Sequence, residues 1–75
     1  MEYINKLKET RKKNGYTQQD MAELLETTQQ QYSKYEKGLH ELPIRHLITI
    51  CRTLKVSSDW LLGIWEEDAA GHVTK

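Results

Sequence analysis

Three consecutive glutamines, Gln29, Gln30 and Gln31, are the residues of this 75-residue chain best suited to recognition chemistry. A glutamine amide presents a donor and an acceptor together. That pair matches the N6 and N7 edge of adenine in the major groove of a duplex. Lys34 follows Gln30 by one helical turn, and Ser33 stands beside it. Residues at this spacing share one side of a helix. Gln29, Gln30 and Lys34 are therefore the candidate base readers, with Ser33 a further candidate. Gln31 reads differently, because it follows Thr28 by three residues and suits the second half of a capping box.

Other chemistries find little support. Cys51 is the single cysteine, and His40, His46 and His72 are isolated, so no metal-ligand spacing arises. Each histidine reads as an ordinary surface or boundary residue. No nucleophile–base pair and no glycine loop suited to phosphates is present, so neither an enzyme nor a cofactor nor a small-molecule ligand is expected. No secretory signal and no apolar run of bilayer length is visible, which predicts a cytoplasmic protein.

Formal net charge is zero, with 11 basic and 11 acidic residues. The distribution is uneven. Lys6, Lys8, Arg11, Lys12 and Lys13 crowd the first 15 residues against Glu2 and Glu9, while Glu66, Glu67 and Asp68 mark the far end. Without the segment from Ile64 onward the chain carries a net +2. A mildly basic face fits a polyanion, but charge alone does not identify one.

The glutamines need a helix to hold them. Thr28 is its N-cap, Tyr32 and Tyr35 face inward, and Gly38 ends it in a left-handed conformation. Another helix must precede it closely. Thr17 caps that one with Asp20 as capping-box partner, and Met21, Ala22, Leu24 and Leu25 form its buried stripe. Only a tight turn fits between Leu25 and Thr28, and two short helices so joined cross steeply. Ala22 is small where they would approach most closely. A first helix over Tyr3–Asn14 puts Ile4, Leu7 and Arg11 on one face and stops at Gly15. A fourth over Pro43–Leu54 has proline at its first position and carries Leu47, Ile48, Cys51 and Leu54. A fifth, capped by Ser57, holds Trp60, Leu61 and Leu62 before Gly63, with Trp60 and Leu61 closing the core. The pattern predicts a compact all-α domain of five helices over residues 1–63. Residues 64–75 read as a polar tail, mobile or engaged in a dimer contact.

The stretches TQQDMAELL, TTQQQYSKYEKG and LITICRTLKVSSDWLLG, together with Leu7 and Arg11, resemble the helix-turn-helix domain of lambdoid phage repressors, Cro proteins and many bacterial regulators. The likeness covers about residues 4–63. It implies a lambda-repressor-like fold and a sequence-specific transcriptional regulator, expected to be a repressor of bacterial or phage origin associated with the nucleoid. Its expected partners are double-stranded DNA bearing an inverted repeat and a second copy of the chain. The resemblance implies the same reading positions, Gln29, Gln30 and Lys34. It places Gln18 on a phosphate, where a helix N-terminus favours an anion, with Thr17 and Gln19 assisting. Thr28 and Lys37 are further expected phosphate contacts. Arg11 and Glu36 match an ion pair that ties the first helix to the third.

Two positions depart from the family pattern. Glu26 stands where a turn glycine is usual, so either it stores strain or the turn differs. Tyr32 stands where valine or isoleucine is usual, and its hydroxyl needs a partner or water. Trp65 lies beyond Gly63 beside the acidic run and is expected to make a dimer contact. The alternative reading is a protein-interaction module, such as an antitoxin-like partner, using an apolar C-terminal patch.

Overall fold

A computed structural model describes residues 2–64 of the chain. It contains α1 (Glu2–Lys13), α2 (Gln18–Leu24), α3 (Gln29–Lys37), α4 (Ile44–Leu54) and α5 (Ser58–Leu62), with no strand among the described residues. None of these helices is long and apolar enough to cross a membrane. Trp65 and His72 lie outside the described residues.

Local sequence explains the boundaries. Gly15 adopts φ 77°, and the Tyr16 N–H returns to the Arg11 carbonyl at 3.0 Å, closing the end of α1. Thr17 and Asp20 form a complete capping box at α2. Gly38 and Gly63 end α3 and α5 in the left-handed region. Ser57 caps α5 by accepting from the Asp59 and Trp60 N–H groups. Pro43 is not the first residue of α4, as the sequence predicts, but its N-cap, with extended backbone. Its carbonyl accepts from the His46 and Leu47 N–H groups at 3.0 Å each, so the ring lies just outside the helix.

The helices enclose one core of Leu7, Met21, Ala22, Leu25, Tyr32, Tyr35, Ile50, Leu54 and Leu61. α2 packs on α3, α1 on both α3 and α5, and α4 on α5. The expected inner face of α2 is observed, except that Leu24 is only half-buried. α4 is rotated from expectation. Its buried residues are His46, Ile50 and Leu54, with Leu47 and Cys51 half-buried, whereas Ile48 is 48% exposed. The stripe therefore centres on the 46–50–54 row of a helix, and Ile48 falls on the opposite side. His46 is a core-edge residue whose ring meets Tyr35 edge-on at 6.0 Å.

Lys6 also departs from the picture of a cationic first helix. It is buried, donates to the Trp60 carbonyl at 3.1 Å, and sits 4.9 Å from the Trp60 ring centroid. This contact joins α1 to α5 and leaves Trp60 half-buried rather than fully enclosed.

Candidate nucleic-acid interface

The turn between α2 and α3 is fixed by its backbone. Leu25, Glu26 and Thr27 donate in succession to Met21, Glu23 and Ala22 carbonyls at 2.9, 3.1 and 2.8 Å. Glu26 has φ 58°, so the left-handed residue of the turn is kept although it is not glycine. A side chain there costs about 1 kcal/mol. Ala22 is fully buried beneath this turn. Thr28 then starts α3, its hydroxyl accepting from the Gln31 N–H at 3.0 Å. The reciprocal half of the expected capping box is absent. The Gln31 amide nitrogen instead lies 3.0 Å from His40 Nδ1, which links the start of α3 to the segment after it.

α3 has two distinct sides. Tyr32, Tyr35 and Glu36 are buried. Gln29, Gln30, Lys34 and Lys37 are exposed and Ser33 is half-buried. Together with Gln18 and Leu39, these five residues line an open concavity of about 310 Å³. Four candidate readers and two candidate phosphate contacts thus converge on one surface. Thr17, Gln19 and Thr28 do not line it. Thr17 and Thr28 serve as caps, and the Gln19 amide donates to Glu23 Oε2 at 3.2 Å. Leu39, 65% exposed, was not foreseen from the sequence.

A buried carboxylate of α3 is tied to α1 and α2. Glu36 Oε2 accepts from Arg11 Nε and from the Tyr32 hydroxyl, each at 2.6 Å. Glu36 Oε1 accepts from Arg11 Nη2 at 3.2 Å and from Gln18 Nε2 at 3.0 Å. Arg11 Nη1 donates to the Tyr16 carbonyl at 2.9 Å. The Arg11–Glu36 pair is therefore present, and it joins α1, α2 and α3. Burial opposes the charge on Glu36, but the bonds from Arg11, Tyr32 and Gln18 outweigh it and hold the carboxyl below the usual carboxylate range. The bond to Glu36 raises the Arg11 guanidinium despite partial burial. Burial, reinforced by the charge it meets on Glu36, pushes the Tyr32 phenol far up, so it remains a donor. The tyrosine in place of a smaller apolar residue thus finds its polar partner within the network.

Among the described residues no group of His, Cys, Asp and Glu could hold a metal ion. The sequence profile of a family described as Helix-turn-helix matches residues 7–61. The chain belongs to the Cro/C1-type helix-turn-helix family. The lambda-repressor-like arrangement of five helices agrees with that membership. This helix-turn-helix chain is 44% identical over 57 residues to the SPbeta prophage-derived uncharacterized HTH-type transcriptional regulator YonR of Bacillus subtilis (strain 168), covering 76% of this chain and 53% of the relative. It is 42% identical over 60 residues to the uncharacterized HTH-type transcriptional regulator YqaE of the same strain, covering 80% of this chain and 52% of YqaE. It is 38% identical over 58 residues to the HTH-type transcriptional regulator ImmR, again of that strain, covering 77% and 46%. The chain spans about half the length of these curated relatives. No solved structure matches it.

Proposed function

We propose that this chain is a sequence-specific double-stranded DNA-binding module that inserts α3 into the major groove and regulates transcription, with no catalytic step of its own. One observation carries the reading. α3 buries Tyr32, Tyr35 and Glu36 while Gln29, Gln30, Ser33, Lys34 and Lys37 meet on a single outer surface. The shared naming of the relatives as transcriptional regulators supports it.

Gln29 and Gln30 stand in the first turn of α3, where the second helix of such a motif meets base edges. Lys34 and Ser33 extend the reading deeper. Gln18 keeps one amide hydrogen for a phosphate oxygen after giving the other to Glu36. Thr17, Gln19, Thr28 and Lys37 supply flanking phosphate contacts. A homodimer reading an inverted repeat, with its two α3 helices about 34 Å apart, supplies the affinity that one small module lacks. Trp65 is the proposed dimer contact. Occupying an operator in the bacterial cytoplasm makes the regulator a repressor by occlusion.

Selection of bound sequences from a random duplex pool, followed by titration at two salt concentrations, tests this. An enriched inverted repeat is expected, with a salt slope of about one unit per phosphate contact. Absence of any preferred duplex, or binding indifferent to salt, refutes it. A largely apolar concavity lined by Tyr3, Leu42, Ile44, Leu47 and Leu62, with Glu41 as its one charged residue, supports the second reading, an antitoxin-like module that holds another protein. That reading gains if DNA binding is absent and substitution of Ile44 abolishes a protein complex.

A further inference from the structure

Leu39 shares its concavity with Gln18, Gln29, Gln30, Ser33, Lys34 and Lys37 and is 65% exposed. A lone exposed leucine is ordinary on a protein surface. Its setting is not, because every other lining residue is polar or cationic. Nor does Leu39 belong to the apolar face elsewhere, where Ile44 and Leu62 line a separate concavity without it.

The backbone beneath Leu39 is held firmly. Its N–H donates to the Lys34 carbonyl at 2.9 Å, and Gly38 before it has φ 78°. A Cβ on Gly38 would come within 2.8 Å of Ile4 Cδ1, so this turn lies directly against α1. Leu39 is therefore presented by the end of α3 and not by a loose loop.

On the major-groove edges of the bases, the C5 methyl of thymine is the apolar group. We infer that Leu39 is a specificity-determining residue that packs against a thymine C5 methyl at one base pair of the bound site. The inference rests on the DNA-binding reading and adds a base preference to it. Leu39 brings neither charge nor hydrogen bond, so it selects by the methyl alone and disfavours cytosine, which lacks it. Gln29 opens α3 and Leu39 follows its C-cap, so this thymine belongs to a different base pair from the one Gln29 meets.

The test uses the whole chain and the duplex it selects from a random pool, with each thymine replaced singly by uracil. Uracil removes the C5 methyl and leaves pairing, sugar and phosphate unchanged. At one thymine per half-site, wild-type binding is expected to weaken about fourfold, the worth of one buried methyl group. Leu39→Ala, which removes the contact from both half-sites of the dimer, is expected to bind the parent duplex about sixteenfold more weakly and to be indifferent to that uracil. Its thermal unfolding should match wild type, since the side chain is largely exposed. If wild type and Leu39→Ala respond alike to every uracil, the inference is overturned. If the pool yields no preferred duplex, the DNA-binding reading itself falls and carries this one with it.

Discussion

Replacing Glu36 with glutamine tests the device that holds α3 in place. The amide preserves volume but removes the charge facing Arg11. Glu36 is 4% exposed and Arg11 8%, so water is poorly placed to compensate. Breaking one partner of a buried pair costs about 3–5 kcal/mol. Arg11 keeps its bond to the Tyr16 carbonyl, which argues for the lower end, about 3 kcal/mol. For a domain of this size that corresponds to a fall in Tm of roughly 12–24 °C. Circular dichroism melts of wild type and Glu36→Gln give the number directly. The pH dependence supplies an independent check. Glu36 has a folded pKa below its ordinary value of 4.5, so its contribution is complete above that pH and is lost as pH falls through the lower folded value. The gap between the two melting curves should therefore narrow on acidification below about pH 4.5. Exchanging the buried network for apolar residues, Arg11→Met and Glu36→Met with Tyr32→Phe so that no hydroxyl is left without its acceptor, should recover much of the loss. A Tm change under about 3 °C for Glu36→Gln would refute the view that this pair positions the helix.

Other outcomes follow from the same geometry. Gln29→Ala should relax base preference at one position of a selected site, at a cost of about 1–3 kcal/mol measured by competition binding, with unchanged melting. His46, buried and beside Arg45, has a pKa below its ordinary 6.5, so the fold favours the neutral ring. Stability is then present above pH 6.5 and declines as pH falls below it, and His46→Gln should flatten that part of a stability–pH profile. Glu26→Gly should relieve the left-handed strain and stabilise by about 0.5–1 kcal/mol in urea melts, whereas an unchanged midpoint would show that Glu26 carries none.

Much of the fold was legible because its signals are local. Thr17 and Asp20, Thr28, Ser57 and three glycines at helix ends mark their boundaries within a few residues of sequence. The Arg11–Glu36 pair came from resemblance, since nothing local links residues 25 positions apart. What escaped depends on rotation and reach. Ile48 and Ile50 are equally apolar, and only packing against the other helices decides which turns inward. Lys6 looked like surface charge, yet its long stem carries the ammonium to Trp60. Gln31 took His40 as partner because the segment after Gly38 folds back within reach. Leu39 gave no periodic signal, as it lies past the end of its helix. The convergence of Gln18 with the α3 residues was readable in part, but its bond to Glu36 was not.

The division of α3 into a buried side and an outer side has an evolutionary consequence. The buried side of α3 is made by Tyr32, Tyr35 and Glu36, none of which lines the outer concavity, and only Gln18 of the residues bonded to Glu36 reaches both. Gln29, Gln30, Ser33 and Lys34 can then be exchanged as a set without retuning the frame. On the DNA-binding reading proposed above, duplicated copies of such a domain could diverge in target while keeping one frame, with Leu39 changing alongside those four positions.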